Sequence, residues 1–313
     1  MNVKARLRQS RIIESGAGPQ FETGAPCVRV GSSLLIHADC LDWLVSIPDE
    51  SIDAVVTDPP YGVKEYEIKE IERMQSGGAG VWRIPPAFDG NVRAPLPRFT
   101  ALDDRERESL TRFFVRFAQI LLPKLKPGAH VFVACNAFMS QLVFSSLIEG
   151  GLEFRTEVIR LVQTLRGGDR PKLGEQEFPD VCSLPRGGYE PWGLFRKPMP
   201  PGMTVRACLK TYGTGGLRRR PDGLPFSDVI PSERTPRRER DIAAHPSLKP
   251  QSLLRQLVYA SLPLGTGVVV DPFMGSGSTI AAAEAVGYDA IGVERYKQYF
   301  DLATKVVPAL SRL

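Results

Sequence analysis

Residues 267–294 read GVVVDPFMGSGSTIAAAEAVGYDAIGVE. The stretch falls into a β-branched strand (Gly267–Val270), a turn rich in small residues, a helix (Ile280–Val286) and a second apolar strand (Ala290–Val293) that ends in Glu294. Gly275 and Gly277 lack a Cβ, so the backbone there can turn tightly and approach a ligand closely. Glu294 follows Gly277 by 17 residues, where an acid can hold both hydroxyls of a ribose. Ile280 stands where a dinucleotide-binding turn has its third glycine, which favours an adenosyl group over a pyrophosphate.

The same alternation extends toward the amino terminus. Ser33–Asp39 is a short apolar run ending in an acid, Cys40–Val45 suits a helix, and Ile52–Thr57 is a buried strand running directly into Asp58-Pro59-Pro60-Tyr61. Leu110–Leu125 has helical spacing and stops at Lys126-Pro127-Gly128; Ala129–Cys135 is a strand, Ser140–Glu149 a helix closed by Gly150-Gly151, and Phe154–Val162 a strand. Helices over about Pro250–Ser261 and Lys297–Leu310 complete the pattern. Strands alternating with helices predict an α/β fold of Rossmann-like type, a mostly parallel twisted sheet flanked by helices.

Three segments break the alternation. Residues 1–30 read as an irregular arm, 62–100 as a long Gly- and Pro-rich loop inside the first half (31–162), and 163–244 as a mostly irregular insert before the second half (245–313). Between residues 160 and 240 lie 16 of the 40 Lys and Arg and 9 of the 35 Asp and Glu, against 24 and 26 elsewhere. A positive excess confined to one segment suits a polyanion-binding surface, although a flexible basic loop gives the same count.

Other classes are disfavoured. The five cysteines form no C-x-x-C pair and there are only three histidines, so neither a disulfide framework nor a metal site is expected. No apolar run of membrane-spanning length occurs and Met1–Arg6 lacks the core of a signal peptide, so a soluble cytoplasmic, nucleoid-associated protein is expected.

Asp58-Pro59-Pro60-Tyr61 carries the chemistry. Each proline restricts the residue before it to an extended conformation, so the Asp58 carboxylate, the Pro59 carbonyl and the Tyr61 ring have little freedom. An Asx-type turn alone would explain Asp-Pro-Pro, but not its position at a strand end with an aromatic residue closing it. The lone pair of a nucleobase amino group is delocalised into the ring. Two acceptors, Asp58 and the Pro59 carbonyl, can take its hydrogens and turn that lone pair toward an electrophilic methyl group while Tyr61 stacks on the base.

This set of motifs resembles the S-adenosylmethionine-dependent amino-methyltransferases of DNA, which modify adenine N6 or cytosine N4. Their catalytic motif is Asp, Asn or Ser followed by Pro-Pro and an aromatic residue, and their Phe-x-Gly-x-Gly motif is matched by Phe273-Met274-Gly275-Ser276-Gly277. Catalytic motif first, basic insert between, cofactor motif last resembles the beta group of that family. His245-Pro246-Ser247-Leu248-Lys249-Pro250 is similar to the segment preceding the family's cofactor motif, and Asp39-Cys40 to the acid-containing turn near the cofactor's adenine. The resemblance covers about residues 33–162 and 245–305.

The resemblance implies a methyltransferase fold with S-adenosylmethionine as cofactor. Lys249, with His245 and Ser247 before it, and the turn Asp271, Pro272, Phe273, Met274, Gly275, Ser276, Gly277, Ser278 and Thr279 would contact its methionine portion. Glu294, with Arg295 beside it, would hold the ribose, Asp39 and Cys40 would lie near the adenine, and Asp58 would also face the ammonium. The insert takes the place of the target-recognition region. Arg166, Arg170, Lys172, Arg186, Arg218, Arg219, Arg220, Arg237 and Arg238 are the candidates for DNA contacts, while Tyr189, Trp192 and Phe195 serve either recognition or the insert's own core.

Double-stranded DNA is therefore the expected partner, with the target base flipped into the Asp58 pocket and the 62–100 loop supporting it. Adenine N6 is preferred because Asp leads the motif and Tyr closes it; cytosine N4 is the alternative, and RNA or protein amides lie further off. A non-catalytic nucleic-acid binder would have had no need of Asp58, Tyr61, Gly275, Gly277 and Glu294 together. The resemblance makes a homodimer and a cognate restriction endonuclease candidate further partners, and the sequence itself decides neither.

Overall fold

The computed structural model describes residues 24–60, 104–162, 174, 176–182, 187–243 and 248–313. In these residues the strands are β1 (Cys27–Val30), β2 (Ser33–His37), β3 (Ile52–Thr57), β4 (Leu125–Ala134), β5 (Glu153–Leu161), β6 (Tyr189–Arg196), β7 (Val229–Pro231), β8 (Val268–Asp271) and β9 (Asp289–Glu294). The helices are α1 (Cys40–Ser46), α2 (Asp104–Lys124), α3 (Ser140–Glu149), α4 (Val205–Thr211), α5 (Arg237–Ile242), α6 (Gln251–Ser261), α7 (Ser278–Val286) and α8 (Lys297–Leu310). The strands form one sheet in the order β1-β2-β9-β8-β3-β4-β6-β5-β7.

β3 reads Ile-Asp-Ala-Val-Val-Thr and is buried along its whole length, as a central parallel strand with helices on both faces must be. Ala54 and Val56 point into a layer shared with α6, α7 and α8, whereas Val55 points into the layer of α1, α2 and α3. Phe132 and Val133 of β4, and Ala290 and Ile291 of β9, divide in the same way. The sheet thus separates two apolar layers, and this fixes the strand register, because a shift of one residue would exchange the faces.

β2, β9, β8, β3 and β4 run parallel to one another. Their carboxyl ends therefore emerge along one edge, where open α/β sheets hold their ligands. β6 is antiparallel to both β4 and β5, so its amino end reaches the same edge. There Ala134 pairs with Trp192, and the Cys135 amide donates to the Pro191 carbonyl at 2.9 Å.

The mostly parallel sheet with flanking helices is the fold expected from the sequence. Two expectations need correction. Residues 163–244 are not a body apart from the sheet: Tyr189–Arg196 is an interior strand, and Trp192 and Phe195 lie fully buried in the main core. The Arg160–Glu190 pair across β5 and β6 and the apolar side chains between them make that strand the natural return from β5. The arm is not wholly irregular either, since Cys27–Val30 adds an antiparallel edge strand to β2. The 62–100 loop lies outside the described residues. Among the described residues no helix is long and apolar enough to cross a membrane, and no cluster of three His, Cys, Asp or Glu could hold a metal.

Candidate active site

The glycine turn is folded back on β9. The Met274 amide donates to the Val293 carbonyl and the Gly277 amide to the Met274 carbonyl, both at 2.9 Å. Gly275 (φ 54°) and Gly277 (φ 86°) take the left-handed conformation that favours glycine. A Cβ at Gly277 would also lie 2.5 Å from Cγ2 of Val307, so α8 closes tightly beneath the turn. Met274 and Ser276 are buried, and Gly275 between them is partly exposed.

Glu294 braces this turn from the end of β9. One carboxylate oxygen accepts from the Gly275 amide at 2.9 Å and the other from the Tyr296 amide at 2.7 Å. Burial pushes its pKa upward against these backbone donors. The neighbouring β2 ends beside it: His37 pairs in register with Glu294, and the Ala38 amide donates to its carbonyl at 3.1 Å. Asp39 follows, capping α1 through a 2.9 Å bond from the Leu41 amide, with its second oxygen 3.7 Å from Arg295. Arg295 itself is largely exposed.

Asp271, expected at the cofactor, is directed inward. Its carboxyl accepts from the Thr57 hydroxyl at 2.7 Å and the Phe273 amide at 3.1 Å, tying β8 to β3 just before Asp58. Burial pushes its pKa up from 3.8 to about 6, against these hydrogen bonds, and the charge of Asp58 adds to the rise. A carboxyl whose folded pKa is raised contributes stability that is complete below its unfolded pKa of 3.8 and lost as pH climbs through about 6. Asp271→Asn stays neutral, so its melting temperature should gain on the wild type between pH 4 and 7, by the equivalent of about 3 kcal/mol at most. Parallel melting curves across that range would rule out the buried, titrating Asp271.

Asp58 stands at the carboxyl end of β3 and meets Lys249, which precedes α6. Nζ of Lys249 lies 2.5 Å from one Asp58 oxygen and 3.2 Å from Oε1 of Glu190. Lys249 is only 8% exposed, and the start of α6 is fastened on both sides. The Gln251 amide donates to Glu239 at 3.0 Å and its side-chain amide to the Ser278 carbonyl at 2.9 Å. Glu190 is held in turn by Arg160, its cross-strand partner, at 2.7 Å. Burial would raise the Glu190 carboxyl, but the Lys249 and Arg160 charges overcome it and hold the group below its ordinary range.

Asp39, Asp58, Lys249, the 271–279 turn and Glu294 are therefore gathered along one sheet edge. The thiol of Cys40 turns away into the core, where burial, with the Asp39 charge, pushes its pKa up to about 12. Tyr61, His245 and Ser247 lie outside the described residues, as do Arg166, Arg170, Lys172 and Arg186. Arg218 is drawn away from any outward role: its guanidinium stacks 4.4 Å over Tyr259 and donates to the Tyr288 hydroxyl at 2.6 Å. Arg219 and Arg220 are exposed, the latter 2.6 Å from Asp222, and Arg237 and Arg238 are exposed on α5.

Glu190, Arg160 and Thr57 were not among the residues expected at the site. Neither Arg160 nor Glu190 stands out locally, since β5 also carries Glu153, Arg155 and Glu157 and β6 also carries Arg196; their burial against each other marks them.

Comparison with known proteins shows the family and the fold. A family model described as DNA methylase (N6_N4_Mtase) matches residues 52–305. The Type II methyltransferase M2.DpnII of Streptococcus pneumoniae is 23% identical over 285 residues, covering 91% of this chain and 92% of its own length. The Type II methyltransferase M.ScaI of Streptomyces caespitosus is 26% identical over 302 residues, 90% of this chain and 83% of the relative. Among solved structures, the cytosine-N4-specific PvuII DNA methyltransferase has a TM-score of 0.55 at 19% identity, covering 90% of this chain and 92% of that one. A putative DNA modification methylase of Thermus thermophilus, TTHA0409, complexed with S-adenosyl-L-methionine, gives 0.52 at 19% identity, covering 88% of this chain and 94% of that one.

Proposed function

This chain belongs to the N6_N4_Mtase family of DNA methylases, and from that premise we propose that it methylates adenine N6 in double-stranded DNA, with Asp58 as the hydrogen-bond acceptor for the target amino group. The observation that carries the reading is the position of Asp58 at the end of β3, held by Lys249 on the sheet edge that also bears the glycine turn and Glu294. Asp58 as the leading residue and Tyr61 as the closing one favour adenine over cytosine.

The residues on that edge suit S-adenosylmethionine. Its carboxylate matches the Lys249 ammonium, its own ammonium matches Asp58, its ribose hydroxyls match the two Glu294 oxygens, and the bare backbone at Gly275 allows close approach. When bound, the cofactor supplies an electrophilic methyl group on a positively charged sulfur. Asp58 and the Pro59 carbonyl then take the two amino hydrogens of the flipped base and keep its lone pair out of the ring plane. Recognition of DNA falls to the 163–244 segment, with Arg219, Arg220, Arg237 and Arg238 as the exposed described candidates, while Arg218 acts as an internal brace.

Modification-sensitive sequencing of DNA from cells expressing the chain should show N6-methyladenine at one short recurring sequence. N4-methylcytosine at that sequence would reassign the base, and unmodified DNA from cells holding folded protein would refute the activity.

A further inference from the structure

Four buried or half-buried charges of alternating sign run from β5 to the reaction centre: Arg160, Glu190, Lys249 and Asp58. Arg160 is fixed at every nitrogen, donating to Glu190 at 2.7 Å, to the Ser232 hydroxyl at 3.0 Å and to the Glu233 carbonyl at 3.0 Å. Glu190 is thereby anchored, 6% exposed, with its other oxygen facing Lys249. Lys249 sits between two carboxylates and is closer to Asp58.

This geometry sets a conflict. A carboxylate that is to accept a hydrogen from a weakly basic amino group loses acceptor strength when an ammonium sits on it. We infer that Glu190, anchored by Arg160, is a positioning residue that shares the Lys249 ammonium with Asp58 and so keeps the Asp58 carboxylate available to the target amino group.

Glu190 stands across Lys249 from Asp58, with the ammonium between the two carboxylates. The inference rests on the methyltransferase reading for its substrate, but not for its electrostatics. Without the Glu190 charge the ammonium is left to Asp58; without Lys249 there is nothing left to share.

Glu190→Gln is nearly isosteric, and single-turnover assays at saturating cofactor and DNA should show the chemical step slowed about tenfold or more. The DNA dissociation constant should stay within about twofold of the wild type, because the buried Glu190 is not among the DNA-contact candidates. In a Lys249→Met background the same exchange should no longer slow the step, the non-additivity expected of coupled residues. The Asp58 carboxyl carbon, assigned with Asp58→Asn in a chain carrying 13C-labelled Asp, should titrate at lower pH in Glu190→Gln than in the wild type.

An unchanged rate, an equal loss in both backgrounds, or an unmoved Asp58 titration would overturn the inference. If Glu190→Gln fails to fold because Arg160 is left buried and unpaired, Arg160→Gln with Glu190→Gln removes both charges and should give the same loss; wild-type turnover there would overturn it equally. A folded wild type that transfers no methyl group to DNA would instead sink the methyltransferase reading, and the carboxyl titration would still decide the role of Glu190.

Discussion

Replacing Asp58 with Ala is expected to slow methyl transfer by about a thousandfold or more, a loss of roughly 4 kcal/mol in transition-state stabilisation, while cofactor binding stays measurable. Asp58 follows a strand buried from end to end and precedes two prolines, so its carboxylate is held where a loop residue would wander. The substitution removes the acceptor without disturbing that scaffold, since β3 is fixed by β4 and β8 and the Lys249 charge keeps Glu190 as its partner. Single-turnover transfer from labelled cofactor, with calorimetry on the same preparation, separates the two effects. Asp58→Asn sharpens the test: an amide oxygen still accepts a hydrogen, so the Asn variant should fall between wild type and Ala. Full activity in Asp58→Ala would remove Asp58 from the mechanism.

The strands leading to this residue were readable because they are short β-branched runs with helices on both sides. Ile52–Thr57 is found as expected, and Val268–Asp271 is shifted by one residue from the expected Gly267–Val270. Helix α2 starts at Asp104, earlier than its apolar spacing suggests, because Asp104 and Glu106 suit the positive end of a helix without adding to its apolar face. Tyr189–Arg196 was missed for a physical reason. Pro191 and Gly193 are poor strand formers, and only the long-range pairing with β4 and β5 makes the segment regular.

The same distance hid half of the charge network. Glu190 lies 30 residues from Arg160 in sequence, and a further long stretch separates it from Lys249, so the register of β5 against β6 brings the first two together and the placement of α6 adds the third. Arg218 shows the converse. A run of three arginines reads as one basic surface, yet Tyr259 and Tyr288, 70 residues from Arg218 in the latter case, capture the first of them. Local pattern reveals which residues carry charge, and tertiary pairing decides which of those charges face a ligand.

Glu294→Gln should weaken cofactor binding about a hundredfold, more than the loss of one hydrogen bond, because it also spoils the turn. Both carboxylate oxygens already accept backbone N–H groups, at 2.9 Å from Gly275 and 2.7 Å from Tyr296. A glutamine amide has one accepting oxygen. Whichever way it is turned, its NH2 faces one of those N–H groups, donor against donor, and the left-handed turn at Gly275 loses its brace. Protonation of the wild-type carboxyl does similar damage by turning one oxygen into a donor. Since burial raises the Glu294 pKa, cofactor affinity in the wild type should begin to fall on acidification above the pH range of an ordinary glutamate, and the Gln variant should not show this fall. Calorimetry at several pH values measures both. An unchanged dissociation constant in Glu294→Gln would refute the ribose assignment, and a wild-type affinity indifferent to acid would show that the ionised carboxylate is not what the cofactor meets.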